Sequence, residues 1–112
     1  MSDRLPTALY VEAHLRNLTA QARFYHFIQK GNHSSGIVML KLNSLSGTVK
    51  LITQERDFIT DKMTWVNALD KETVDESEAD AYIQRAISRD PDLWVIEIEG
   101  RDMQNPFEET DL

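Results

Sequence analysis

The sequence predicts an α+β fold: one domain in which an antiparallel sheet of about five strands carries two helices on one face. The first indication is length, since 112 residues fit one domain of ordinary size. The second is composition, because 41% hydrophobic residues suffice for a core and exceed what disordered chains carry. The third is element order. Strand patterns come mostly in one run between two helix patterns, giving the order α-β-β-β-β-α-β.

Apolar residues at spacings of three and four predict a first helix from about residue 8 to residue 21. Thr7 follows Pro6 and is the expected N-cap, since threonine side chains accept hydrogen bonds from the first free amides of a helix. The stripe on the buried face consists of Ala8, Val11, Leu15, Leu18 and Ala22.

Four strand-like segments follow, rich in β-branched and aromatic residues. "RFYHFIQKG" ends at a glycine, and "IVMLKLN" and "TVKLITQ" are separated by a short Ser/Gly segment typical of a hairpin. "ERDFITDK" then bridges to "MTWVNAL", the fourth strand. An acidic connection, "DKETVDESE", leads to the second helix.

The second helix is predicted from a cap at Asp75 or Ser77 to a stop at Asp90, because Asp90 precedes a proline and is pushed away from helical geometry. Its apolar stripe consists of Ala79, Tyr82, Ile83, Ala86 and Ile87. "DLWVIEIE" is the last strand, parallel or antiparallel to its neighbour. We expect the domain to cover residues 1–104 and residues 105–112 to form an acidic, mobile tail.

Alternation along the strands predicts which residues enter the core. In the last strand Trp94, Ile96 and Ile98 share one face, which we expect the helices to cover, while Glu97 and Glu99 share the other. The hairpin is expected to divide in the same way. Its apolar face would consist of Val38, Leu40, Leu42, Val49 and Leu51, and its other face would place Lys41 and Lys50 within reach of the two glutamates.

Composition excludes several classes of protein. No cysteine is present, which excludes disulfides, cysteine-based zinc sites and thiol catalysis. The first residues lack the pattern of a signal peptide, and no segment has the roughly 20 apolar residues of a membrane-spanning helix. We therefore expect a cytoplasmic protein that has no membrane association and needs no cofactor.

The charge is distributed unevenly between the two halves of the chain. Residues 1–56 hold seven Lys or Arg and three acids, a net charge of +4. Residues 57–112 hold five Lys or Arg and sixteen acids, a net charge of −11. The two halves either face each other within the fold or form separate patches that attract a partner.

A ligand site is conceivable at the junction between the second helix and the last strand. Arg85 and Arg89 lie one helical turn apart and could hold a phosphate or carboxylate. Arg4, Asp90 and Asp92 are the other candidates for the same pocket. The structural alternative is that the arginines pair with nearby acids and that Asp90 and Asp92 only end the helix. The C-terminal end of a helix is also the wrong pole for an anion.

Glu97 and Glu99 could bind a divalent cation, since both lie on one strand face. Ion pairing with Lys41 and Lys50 is the simpler interpretation. Pro91-Asp92 followed by an acidic strand resembles part of a nuclease motif, but the lysine of that motif is missing. The histidines at 14, 26 and 33 share no metal-binding spacing, so no metal site is predicted.

"RFYHF" interleaves basic and aromatic residues, as platforms that bind single-stranded RNA do. The net charge of −7 makes a polyanionic partner unfavourable. Nucleic-acid binding is therefore a weaker hypothesis than the two functions given at the end of this section.

Several segments together resemble domain-of-unknown-function family 1491, small single-domain bacterial proteins mostly from alphaproteobacteria. They are "RLPT" before the first helix, "SSGIVMLKLN", "TWVNAL" and "YIQRAISRDPDLWVIEIEG". The resemblance extends from Arg4 to Asp102, and its most specific part is Arg85, "DPDLW" and "EIE". The family prefers a further acid after "EIE", where this chain has Gly100. The resemblance implies a one-domain fold and no established activity.

Two functional hypotheses follow. The first is a non-enzymatic interaction module that presents its charged sheet face or an acidic segment to a protein partner or to a second copy of itself. The second is a small-ligand-binding or enzymatic domain with its site at Arg85, Arg89, Asp90 and Asp92. A concave pocket that holds several of these side chains would favour the second.

Overall fold

The structure is a computed structural model that describes residues 5–107. It contains two helices and six strands. In chain order they are α1 (Thr7–Ala20), β1 (Tyr25–Gln29), β2 (Val38–Asn43), β3 (Thr48–Asp57), β4 (Lys62–Asn67), β5 (Val74–Asp75), α2 (Glu76–Arg89) and β6 (Trp94–Glu99). The α+β class and the predicted order of the main elements are confirmed, with short β5 as an addition.

The strands form one open sheet in the order β1-β6-β2-β3-β4, and β5 pairs with the start of β3. The last strand, β6, lies between β1 and β2. It runs antiparallel to β1 and parallel to β2, with Leu40 opposite Ile96. The sheet is therefore mixed rather than wholly antiparallel. Strand patterns in the sequence do not specify this insertion, because β6 reaches its neighbours only after a helical connection.

Helix α1 covers one face of the sheet, which we call the α1 face. Val11, Leu15 and Leu18 of α1 are buried there. The sheet contributes Val38, Leu40, Leu42, Ile52, Trp94, Ile96 and Ile98. Trp94 is almost fully buried, and its indole nitrogen donates a hydrogen bond to the carbonyl of Asn32 at 2.9 Å. The predicted core placement of Trp94 is confirmed.

Helix α2 covers the opposite face, the α2 face. Ala79, Ile83 and Ala86 of α2 are buried there. The sheet contributes Met39, Val49, Leu51, Leu93 and Val95. The two helices thus lie on opposite faces, where one face was expected. The physical reason is that the central strands β2 and β6 are apolar on both sides, so each face needs its own cover.

The register of the β2–β3 hairpin also differs from expectation. Leu42 lies opposite Lys50 and Lys41 lies opposite Leu51. Because directly opposite residues share a face, Lys50 belongs to the α1 face, while Val49 and Leu51 lie on the α2 face beside Lys41. The predicted grouping of Lys41 with Lys50 is wrong. A shift of one residue in register exchanges the faces of a whole strand.

The helix boundaries agree closely with the sequence pattern. Helix α1 begins at Thr7, and its N-cap residue is Pro6 rather than the predicted Thr7. The Thr7 hydroxyl does not cap the helix but donates a hydrogen bond to the carbonyl of Gly36 at 3.4 Å. Helix α2 begins after Asp75 and ends before Asp90, as predicted.

The loop between β1 and β2 is folded back onto the start of β6. A β-carbon at Gly31 would lie 2.1 Å from the carbonyl oxygen of Asp92 and 2.6 Å from the Trp94 ring. At Gly36, φ is +111° and the same carbonyl would be 2.3 Å away. Both positions therefore require glycine, since any side chain would displace the loop from Trp94.

Candidate functional site

A charged cluster lies between the N-terminal turn of α2 and the sheet. Lys41 of β2 is 3% exposed. Its Nζ lies 2.8 Å from Glu76 Oε2, 2.8 Å from Asp80 Oδ1 and 3.6 Å from Glu97 Oε2. Glu76 and Asp80 are four residues apart on α2, so both reach the same lysine from one helix face. The cluster fastens the start of α2 to β2 and β6.

The environment of Lys41 keeps its amine charged. Burial alone would lower the pKa of Lys41, but hydrogen bonds to Asp80 and Glu76 and the charge of Glu97 outweigh that effect. The net result is a pKa above the usual 10.5.

Two further side chains complete the cluster around Glu97. Asn43 Nδ2 donates to Glu97 Oε2 at 2.7 Å and lies 3.3 Å from Glu76 Oε2. His26, which is exposed on β1, places Nε2 3.5 Å from Glu97 Oε1. The expected contact between Glu97 and Lys41 is present, whereas Lys50 lies on the other face. Within residues 5–107, no group of three or more His, Asp or Glu side chains could hold a metal ion.

The helix–strand junction brings Arg85, Arg89, Asp90 and Asp92 to the surface at the end of α2. Arg85 lies over the Tyr82 ring, with its guanidinium carbon 5.9 Å from the ring centre. Asp90 accepts a hydrogen bond from the amide of Asp92 at 3.0 Å, which closes the turn into β6. None of these four residues lines either of the two clefts described below. The junction site therefore stays a prediction.

The remaining predicted site residues do not join the junction. Glu99 lies at the far end of β6, where its amide donates to the carbonyl of Phe24 at 2.9 Å and its own carbonyl accepts from Arg23 Nε at 3.4 Å. Arg4 lies outside the described residues, as do residues 108–112 of the predicted tail. Residues 105–107 pack on the domain, because Asn105 and Phe107 are buried.

One cleft, the C-terminal cleft, lies between strands β3 and β4 and the segment 102–105 that follows β6. Its volume is about 560 Å³. It is lined by Lys50, Ile52, Trp65, Val66, Asn67, Asp102, Met103, Gln104 and Asn105. Lys50 and Ile52 are the α1-face residues of β3, so the cleft lies on the same side of the sheet as α1.

A second cleft lies between α1 and strand β1, which forms an edge of the sheet. Its volume is about 510 Å³. Tyr25, Phe27 and Trp94 contribute aromatic rings, and Lys30 Nζ lies 4.9 Å from the centre of the Phe27 ring. Arg16, His33 and Glu12 contribute polar groups.

A third surface feature is the arm, residues 55–64. Strand β2 pairs with β3 only as far as Thr53, and the amide of Val38 donates to the Gln54 side chain at 3.0 Å. Beyond that point, β3 pairs with β4 alone, through residues 55–57 and 62–64. The arm is a two-stranded ribbon, and its tip exposes 90% of Phe58 and 95% of Ile59.

The sequence patterns did not reveal the arm or the C-terminal cleft. The pattern of "ERDFITDK" predicts a bridge between strands, although an apolar pair between charged residues also fits an exposed hairpin tip. The i, i+4 spacing of Glu76 and Asp80 could have indicated a shared partner. Lys50 and Asp102 are 52 positions apart, and nothing in the sequence links them.

Comparison with known proteins identifies the relatives of this chain. The sequence model of the DUF1491 family, described as proteins of unknown function, matches residues 5–108. This chain belongs to the DUF1491 family. No curated protein matches the chain. Among the described residues, no helix is long and apolar enough to cross a membrane.

Solved structures agree with this membership. The chain is similar to a DUF1491 family protein from Caulobacter crescentus CB15 whose crystal structure superposes with a TM-score of 0.80, at 30% identity over 93% of this chain and 94% of the other. An NMR structure of a DUF1491 family protein from the same organism gives a TM-score of 0.77, at 30% identity over 91% of both chains.

A third structure, protein Atu0922 from A. tumefaciens, superposes with a TM-score of 0.69 at 24% identity, over 87% of this chain and 86% of the other. At that identity the similarity concerns the fold alone. The DUF1491 fold is thus shared across these proteins, and the family brings no established activity.

Proposed function

We propose that this protein is a non-enzymatic, cytoplasmic interaction module that binds a protein partner through the arm. The observation that carries the proposal is the pair of exposed apolar side chains, Phe58 and Ile59, at the tip of a ribbon that leaves the sheet. Neither side chain is needed for the core, because the arm lies beyond the last pairing with β2.

The tip is held in a defined conformation. Asp57 Oδ1 accepts hydrogen bonds from the amides of Ile59 at 2.9 Å and Thr60 at 3.3 Å. The amide of Asp61 donates to the carbonyl of Asp57 at 2.7 Å, and Arg56 pairs with the Asp61 carboxylate at 2.7 Å. The hairpin therefore presents its apolar residues in a fixed geometry, which lowers the entropic cost of binding.

The exposed side chains of Phe58 and Ile59 would bind in an apolar pocket on the partner. Moving a Phe or Ile side chain from water to an apolar environment is worth about 1.5–3 kcal/mol. Arg56 and Asp61 neutralise each other beside the tip, and Asp57 and Lys62 contribute opposite charges. Burial of the apolar pair, rather than net charge, would supply the binding energy.

The charged face of the sheet is not part of this proposal. Lys41 and Glu97, which the sequence placed on a partner-binding face, lie beneath α2 and are paired within the domain. A partner could reach them only if α2 moved away from the sheet. The arm needs no such rearrangement.

Affinity capture from a lysate of the native host tests the proposal. Immobilised wild-type protein is compared with the double variant Phe58→Ser/Ile59→Ser and with Phe24→Ser, which removes an exposed aromatic ring elsewhere. We expect a partner that the wild type and Phe24→Ser retain and that the arm variant loses. Calorimetry with the purified partner then confirms direct binding.

Equal capture by the arm variant and the wild type would contradict the proposal, as would no specific capture by the wild type. Sedimentation of the purified proteins tests self-association separately. If the wild type forms dimers and the arm variant does not, the partner is a second copy of the chain. Fractionation of host cells tests the cytoplasmic location.

A further inference from the structure

The C-terminal cleft has the dimensions of a small-molecule site. Its volume of about 560 Å³ lies within the range of about 300–1,000 Å³ that is usual for ligand pockets. One wall is the α1 face of β3 and β4, and the other is the segment 102–105. Both walls carry polar groups as well as apolar ones.

Two opposite charges line this cleft without neutralising each other. Lys50 comes from β3, and Asp102 from the segment after β6. Across residues 5–107, neither side chain lies within 4.0 Å of an oppositely charged group. Lys50 therefore offers a cation, and Asp102 a carboxylate, to anything that enters between them.

A buried donor without a partner lies in the wall of this cleft. Asn105 is 7% exposed and lines the cleft. Its Oδ1 accepts a hydrogen bond from the amide of Phe107 at 2.9 Å, which fixes the orientation of the side-chain amide. Its Nδ2 has no hydrogen-bond partner in the part of the chain that the structure describes. Leaving such a donor unsatisfied costs about 1–3 kcal/mol. Because the nitrogen has almost no contact with solvent, a ligand oxygen recovers that energy only when the segment 102–105 moves outward.

Apolar side chains complete the lining. Trp65, Ile52 and Met103 contact the same space, and the indole of Trp65 gives a flat apolar surface. A ligand that matches the cleft therefore needs an anionic oxygen group, a cationic nitrogen group and an apolar portion.

We propose that the C-terminal cleft binds a free α-amino acid with an apolar side chain. The ligand carboxylate pairs with Lys50, and the ligand ammonium pairs with Asp102. The ligand side chain packs on Trp65 and Met103. Lys50 and Asp102 thereby each gain an opposite charge, which neither has within 4.0 Å in residues 5–107.

Titrations monitored by NMR test this assignment with the purified full-length chain. The probes are L-phenylalanine and L-leucine, and two analogues of phenylalanine that each lack one charge: 3-phenylpropanoate, without the amine, and 2-phenylethylamine, without the carboxylate. We expect an amino acid to shift the indole N–H signal of Trp65, and each analogue to bind about tenfold or more weakly.

Matched variants locate the binding. Lys50→Met removes the cation, and Asp102→Asn removes the negative charge while keeping the oxygen that accepts from the amide of Gln104 at 3.3 Å. Each should weaken binding about tenfold or more. Lys62→Met, on the arm, and the arm variant Phe58→Ser/Ile59→Ser should bind as the wild type does.

The proposal is overturned if neither amino acid shifts Trp65 at millimolar concentration, or if the single-charge analogues bind as tightly as L-phenylalanine. Unchanged binding by folded Lys50→Met and Asp102→Asn would also overturn it. Thermal melting of each variant distinguishes loss of binding from loss of folding. The readout is independent of the arm, so it does not depend on the proposed protein partner.

Discussion

The two faces of the sheet are stabilised by different physical means. The α1 face is apolar and aromatic, with Trp94 at its centre and Phe107 from the end of the described chain packed on it. The α2 face is apolar at Ile83 and Val95, but beside the first turn of α2 it carries the buried Lys41 cluster. Helix α1 is held by apolar burial and by hydrogen bonds of Thr7 and Ala8 to the β1–β2 loop, whereas α2 is held by burial together with a charged anchor.

The charged anchor affects the position of α2 as well as the stability of the domain. Apolar contacts are non-directional, so they tolerate small shifts of a helix. A lysine hydrogen-bonded to two carboxylates one helical turn apart fixes where α2 begins. Because removing ions from water offsets much of their attraction, we expect the cluster to add more to the placement of α2 than to total stability.

The largest effect is expected on the α1 face. Trp94→Ala should lower the free energy of unfolding by about 3–5 kcal/mol, because it leaves a cavity among α1, β1 and β6 and removes the hydrogen bond to Asn32. Urea denaturation measures the change. Phe24→Ala, an exposed aromatic position, is the control and should change stability by less than about 0.5 kcal/mol. A loss below about 1 kcal/mol for Trp94→Ala would refute the core placement.

The next effect is expected on the α2 face. Lys41→Met should cost about 2–4 kcal/mol, because it leaves Glu97 buried without its cation. Adding Glu97→Gln should recover part of the loss, since a glutamine oxygen can still accept from Asn43. The double variant and both single variants form a cycle measured by urea denaturation. If the changes simply add, the two side chains are not coupled.

Alkaline pH should weaken the anchor selectively. The pKa of Lys41 is raised above its usual 10.5, so folding favours the charged form. Its contribution is therefore complete below about pH 10 and is lost as the pH rises through the higher folded-state pKa. The stability difference between the wild type and Lys41→Met should be constant from about pH 7, where the carboxylate partners are charged, to about pH 10, and should shrink above it. A difference that already declines near pH 8 would contradict this origin.

The smallest effect is expected on the arm, which belongs to neither face. Phe58→Ser/Ile59→Ser should change the free energy of unfolding by less than about 0.5 kcal/mol, because both side chains are already in water. Thermal and urea unfolding measure it. A loss above about 1.5 kcal/mol would show that the tip stabilises the domain, and the capture experiment would then no longer isolate binding.

Much of the fold could be predicted from sequence because its signals are local. Helical spacing gave α1 and α2 to within about two residues, and Asp90 before Pro91 ended α2 where the pattern indicated. Alternation grouped Trp94, Ile96 and Ile98 on one buried face of β6, but it did not show that the face with Val95 and Glu97 is buried as well. These features depend on neighbours three or four residues away, which a sequence pattern records directly.

The candidate sites could be predicted less well, because each joins distant parts of the chain. Lys41 was expected to meet Glu97, and does, but its closer partners Glu76 and Asp80 become neighbours only when α2 lies on the second face. Lys50 was grouped with Lys41, and the register of the hairpin placed it in the C-terminal cleft instead.

The sequence by itself determined the element order, the α+β class, the main buried strand face and family membership through recognisable segments. Tertiary structure decided the position of β6 between β1 and β2, the separate faces of the two helices, the partners of Lys41, and the arm. The reason is physical: helical and strand periodicity follow from local backbone geometry. Strand insertion, register and helix placement follow from competition among long-range pairings whose energies no local pattern encodes.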